Sequence, residues 1–148
     1  MAELPRKIVL LMADDDEDDC LLVHEAVRKI LSSDGFRCLR DGQELMEYLL
    51  HQGAYIDPGA SPRPHLILLD LNMPKKDGWK VLEEMQAYPE LKVIPIVIFS
   101  TSSEQADIDH CYALGANSFV TKPVSFDKLL EIIRSLKSFW FETASLPL

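Results

Sequence analysis

Leu66-Ile67-Leu68-Leu69-Asp70-Leu71-Asn72-Met73-Pro74 is the stretch on which the fold turns. Four consecutive aliphatic residues leave no polar face, as in a strand buried on both sides of a parallel sheet. The run ends on a carboxylate, which is costly to desolvate there unless a cation or hydrogen-bond donors compensate it. Outward from this segment the same pattern recurs. Residues 8–12 (Ile-Val-Leu-Leu-Met) form a second continuous apolar run, and residues 94–99 a third, with Pro95 near its start, where proline is tolerated. Residues 36–39 and 118–120 are shorter strand candidates. Between the runs, apolar residues recur at helical spacing: Leu22, Val23, Ala26, Val27, Ile30 and Leu31 in a first helix, then Leu45, Met46, Leu49 and Leu50 in a second. Trp79, Val81, Leu82 and Met85 mark a third, and Ile108, Cys111, Tyr112 and Leu114 a fourth, closed by Gly115. The last helix spans about 126–140. Residues 53–64, rich in Gly and Pro, read as a surface loop. Five rounds of strand then helix predict an α/β fold, a parallel sheet with helices on both faces. Such sheets bind ligands beyond the carboxyl ends of their strands.

The composition fits that picture. The chain has 148 residues, 47% hydrophobic and 26% charged, and a formal net charge of −9. That length suits one domain with a sizeable core, here a core of about 6–137 and an extension over 138–148. The negative charge disfavours nucleic acid and anionic membranes as partners, and suits a site that collects a divalent cation. Cys20, Cys38 and Cys111 are scattered and odd in number, so they are expected to be reduced thiols in a cytoplasmic protein. Met1-Ala2-Glu3-Leu4-Pro5 lacks a signal peptide's apolar stretch, and no run is long enough to span a membrane.

At the strand ends four signals line up. After the first strand comes an unbroken acidic run, Asp14 to Asp19 with Glu17 inside it. Helix capping and the helix dipole account for Asp16 to Asp19. Asp14 sits at the strand end, where its carboxylate would face the crevice. Asp14 and Asp70 close together would repel, and Mg²⁺ removes that repulsion; two carboxylates, a backbone carbonyl near Asn72 and waters would satisfy it. Ser100 follows the fourth strand, positioned to donate to a phosphoryl oxygen on Asp70. Lys122 follows the fifth, where its ammonium would converge on the same crevice. Each signal alone is weak, and their joint occurrence in order is strong.

These residues resemble the receiver domain of two-component response regulators over nearly the whole chain. The segments that carry the resemblance are Ile-Val-Leu-Leu-Met-Ala-Asp-Asp, Leu-Ile-Leu-Leu-Asp-Leu-Asn-Met-Pro-Lys-Lys-Asp-Gly, Ile-Pro-Ile-Val-Ile-Phe-Ser-Thr and Phe-Val-Thr-Lys-Pro. The resemblance implies a flavodoxin-like (CheY-like), doubly wound sheet in the order 2-1-3-4-5. It implies that Asp70 is phosphorylated by a histidine kinase, with Mg²⁺ (or Mn²⁺) held by Asp14, Asp70, the Asn72 carbonyl and optionally Asp15. Ser100 and Phe119 would be the switch pair, Lys122 the phosphoryl contact, and the bond to Pro123 a cis peptide. Ala13 stands where the family's first of two adjacent acids is expected, so the pair is read as shifted by one. The Pro-rich loop and the ending Ser138-Phe139-Trp140-Phe141-Glu142-Thr143 look like the small regulators paired with cyanobacterial and bacterial phytochromes.

No effector domain is expected after the last helix, so output is expected through protein contacts, or by relay of the phosphoryl group to a histidine phosphotransferase. Ile132, Phe139 and Trp140 lie off the helix's packing stripe, and with Phe141 in the aromatic tail they predict a homodimer contact built partly on the last helix. Two rivals fit less well. A phosphatase of the haloacid dehalogenase type needs a second acid two residues after its nucleophile, where Asn72 stands. A flavodoxin-like FMN carrier needs a hydroxyl-rich phosphate loop where this chain has six acids.

Overall fold

The computed structural model describes residues 8–31 and 35–147. The Met1 to Pro5 stretch and the start of the expected core lie outside them. In chain order the elements are β1 Leu10–Ala13, α1 Glu17–Leu31, β2 Phe36–Leu39, α2 Gly42–Leu49, β3 Leu66–Leu69, α3 Gly78–Gln86, α4 Pro89–Lys92, β4 Ile96–Ser100, α5 Gln105–Ala113, β5 Ser118–Thr121 and α6 Phe126–Leu136. A π-helical turn, Lys137–Thr143, continues α6. The five strands are all parallel, in the order β2-β1-β3-β4-β5.

Continuous apolar strands are what this topology needs. Along β1, β3 and β4 alternate residues enter two separate cores. Leu11, Ala13, Ile67, Leu69, Ile96 and Ile98 face α2, α3 and α5. Leu10, Met12, Leu66, Leu68, Val97 and Phe99 face α1 and α6. Each fully buried aliphatic side chain contributes roughly 1.5–3 kcal/mol. Short polar side chains start the helices: Asp41 accepts from Glu44 N–H (2.8 Å), Asp77 from Lys80 N–H (2.9 Å) and Ser125 from Lys128 N–H (3.2 Å).

Because β1 has β2 on one side and β3 on the other, the chain reverses its direction of travel between them. That opens a crevice at the carboxyl ends of β1 and β3. Asp14 N–H bonds the Leu39 carbonyl (2.9 Å) and Asp70 N–H the Ala13 carbonyl (3.0 Å), so the ladder fixes both acids at its edge. Ala13 itself is a buried strand residue, opposite Leu39 and Leu69. The adjacent acids are therefore Asp14 and Asp15, directly after the strand.

Three expectations are corrected. Cys20 and Cys38 are joined in a disulfide, with Cα atoms 6.0 Å apart; the first turn of α1 lies beside β2, a proximity that a separation of 18 residues does not announce. Cys111 is free and buried. The Lys122–Pro123 peptide is trans, the form favoured even before proline by about 0.5–1 kcal/mol. Phe141, expected on a contact surface, is buried in the α1/α6 core, because the π-helical turn swings it back onto its own domain. Phe139 stays 53% exposed, edge-on to Trp140 at 4.9 Å, with Ile132 and Trp140 half-buried. None of the described helices is long and apolar enough to cross a membrane.

Candidate functional site

The crevice brings the predicted acids and Lys122 together. Carboxylate oxygens of Asp14, Asp15 and Asp70 lie within 4.8 Å of one another. Asp14 is fully buried, Asp70 nearly so, and Asp15 is exposed at the mouth. Asp14 Oδ1 accepts from Asp16 N–H at 3.0 Å, and Asp70 Oδ1 from Leu71 N–H at 2.8 Å. Lys122 arrives from the end of β5, where its own N–H donates to the Ser100 carbonyl at 2.7 Å and extends the β4–β5 ladder. Its ammonium lies 2.7 Å from Asp14 Oδ2, 2.7 Å from Asp19 Oδ2 and 3.3 Å from Asp70 Oδ2.

Electrostatics follow from burial. Desolvation pushes the Asp14 carboxyl from 3.8 up to about 6, against the lowering effect of Lys122 and of the Asp16 amide; the Asp70 charge adds to the rise. Lys122 is pushed the other way by burial, but the close carboxylates of Asp14 and Asp19, with the Asp70 charge, outweigh that and hold its pKa above the usual lysine value. The ammonium stays charged throughout the physiological range.

The donor set fits Mg²⁺ or Mn²⁺. Asp14 Oδ2 is buried without a hydrogen bond of good geometry, its counter-charge being the ammonium 2.7 Å away. Among the described residues no donor takes the carbonyl of exposed Asn72, in the loop that leaves Asp70. Hard oxygen ligands, few of them carboxylates and with room for water, are what these ions take. Gly78 keeps that loop tight: its N–H bonds the Leu71 carbonyl at 2.9 Å, and a Cβ there would lie 2.3 Å from the Asp70 carbonyl oxygen.

Ser100 is fully buried at the end of β4, its hydroxyl oxygen accepting from Ser102 N–H at 3.2 Å. Phe119, opposite Ile98 in the ladder, is half-buried against the α2/α3/α5 core. Pro123 lines a pocket of about 110 Å³ beside Lys122. Asp19 was missed as a site residue. Asp16 does cap α1, accepting from Asp18 N–H (2.9 Å) and Asp19 N–H (3.2 Å). The Asp19 side chain, by contrast, turns away from the helix end to the lysine. Its one sequence signal is its place in the first turn of α1, five residues after Asp14 and so near the crevice.

Known proteins resemble this chain in sequence and in fold. The family described as response regulator receiver domain matches residues 10–134. Response regulator Rcp1 of Synechocystis sp. is 41% identical over 143 residues, which cover 97% of this chain and 95% of that protein. Among solved structures, the phosphorylated cyanobacterial phytochrome response regulator RcpA is 39% identical with a TM-score of 0.88, covering 97% of this chain and 100% of that one. The Mn²⁺-bound form of Rcp1 is 40% identical with a TM-score of 0.82, covering 95% and 99%.

Proposed function

This chain belongs to the response regulator receiver domain family, and on that premise we propose that Asp70 accepts a phosphoryl group from a histidine kinase of the phytochrome type and passes the signal on through altered protein contacts. The observation that carries the proposal is the Lys122 ammonium, 3.3 Å from Asp70 Oδ2 and beside three converging carboxylates. The carboxylate attacks phosphorus in line, the N–P bond of a phosphohistidine breaks, and its electron pair returns to the imidazole nitrogen. Catalysis is positioning and charge neutralisation. Asp70 is held rigidly by the ladder and by the Leu71 amide; Lys122 supplies a fixed positive charge. Mg²⁺ or Mn²⁺, when held by Asp14, Asp15, Asp70 and the Asn72 carbonyl, would neutralise the oxygens of the incoming phosphoryl group. The Mn²⁺-bound relative and the buried Asp14 oxygen support that assignment. The same groups assist the chain's own dephosphorylation.

The acyl phosphate offers Ser100 a new acceptor, and Phe119 follows the hydroxyl inward, resetting the face formed by α5, β5 and α6. A homodimer through Ile132, Phe139 and Trp140 is the contact favoured by the exposed Phe139 ring. Sedimentation that finds only monomer at high concentration, with and without phosphorylation, would remove it. The primary test is intact mass after incubation with Mg²⁺ and acetyl phosphate, beside Asp70→Asn. One phosphoryl adduct on the wild type alone is expected; an adduct on both proteins refutes Asp70 as the acceptor.

A further inference from the structure

We infer that Asp19 is a positioning residue that holds Lys122 in the resting protein and yields it when Asp70 is phosphorylated, an inference that rests on the phosphoacceptor function proposed above. An ammonium has three protons to donate. Here Asp19 (2.7 Å) and Asp70 (3.3 Å) accept from it, and Asp14 Oδ2 lies 2.7 Å away as a buried counter-charge. The contact with Asp70 is the longest, so the resting lysine leans toward the other two. A phosphoryl group on Asp70 adds oxygens that compete for the same ammonium, and the three carboxylates around it must yield some of their hold.

The three partners are not equally able to let go. Asp14 has no exposed surface, and a buried carboxylate stripped of its counter-charge is strongly disfavoured. Asp70 carries the new group. The Asp19 side chain is 30% exposed, and water can replace the ammonium there. It also sits in the first turn of α1, where the helix dipole supports a negative charge without any lysine. Space for the movement exists: Asp19 and Lys122 both line the 110 Å³ pocket beside Phe99, Pro123 and Phe126. The resting lysine is therefore divided between Asp19 and the phosphoryl site, and Asp19 sets how much of it the phosphoryl group must win back.

Beryllofluoride, which mimics a phosphoryl group on a carboxylate, tests this with Mg²⁺ present and affinity read by titration calorimetry. Asp19→Asn is expected to bind it about fivefold more tightly, a charge-assisted contact discounted for exposure. Asp18→Asn removes the same charge from the neighbouring residue, whose exposed side chain makes no ion pair among the described residues, and is expected to stay near the wild type. Asp19→Glu, which keeps the carboxylate, returns toward the wild type. In a Lys122→Ala background the Asp19→Asn gain disappears, because the cycle isolates the pair. Equal effects of Asp18→Asn and Asp19→Asn, a gain that persists without Lys122, or weaker binding by Asp19→Asn each overturn the inference. Failure of the wild type to bind beryllofluoride at all overturns the phosphoacceptor function instead.

Discussion

Replacing Asp14 by asparagine should stabilise the metal-free protein while removing its metal site. The carboxyl is fully buried and desolvation lifts its pKa from 3.8 to about 6. The native state therefore holds this proton more tightly than the unfolded chain does. Stability from this group is present in full below pH 4 and is lost as pH rises toward 6. Above pH 6 the ionised form carries a penalty of about 3 kcal/mol, at about 1.4 kcal/mol for each tenfold change in proton affinity. Asparagine occupies nearly the same volume and cannot ionise. The gap between Asp14→Asn and wild type should thus be near zero at pH 4, grow through the interval, and level off near 3 kcal/mol at pH 7, with a midpoint rise of roughly 6–12 °C for a chain of this size. Urea unfolding of both proteins at several pH values, without divalent ions, measures it. A variant less stable than wild type at pH 7, or a gap that does not change with pH, would refute the account of Asp14 as a carboxylate held ionised at a cost.

Mg²⁺ at a hundred times its dissociation constant should stabilise the wild type by about 2.7 kcal/mol, and its apparent affinity should fall below pH 6 as protons compete at Asp14; thermal shift against pH reads both. Gly78→Ala places a Cβ 2.3 Å from the Asp70 carbonyl oxygen and 2.9 Å from Leu71 Cα, so a loss of about 1–3 kcal/mol is expected from overpacking, together with slower phosphorylation because the Asp70 loop must shift. Reducing the Cys20–Cys38 disulfide should cost about 3 kcal/mol by chain entropy; alkylation of the unfolded, unreduced protein should label Cys111 alone, and labelling of all three thiols would show that the bond does not form.

The sheet was legible because burial on both faces writes itself as unbroken aliphatic runs, and the crevice because ligand sites follow from strand ends. Asp14, Asp70, Ser100 and Lys122 each stand one or two residues beyond such a run, so locating the runs located them. Asp19 was not legible, since an acid in the first turn of a helix already has a sufficient local explanation. Its contact with Lys122 spans 103 positions and depends on how α1 is pitched against β5. The disulfide was hidden in the same way, by the packing of α1 beside β2. Phe141 misled because an aromatic-rich tail past the helix reads as a contact surface, whereas the π-helical turn brings that ring back onto the core. Ala13 looked like a gap in the acidic pair until the ladder showed that the strand runs one residue further than its apolar character suggested.

Among the described residues the two cores share no side chain; what joins them is the thickness of one peptide sheet. A cavity cut on one face is then felt on the other only through backbone. Losses from Val27→Ala on the α1 side and Val81→Ala on the α3 side should sum to within about 0.5 kcal/mol in the double variant. Selection can accordingly remake one flank of the molecule without renegotiating the other. The strand ends, to which both flanks contribute, are where that independence stops.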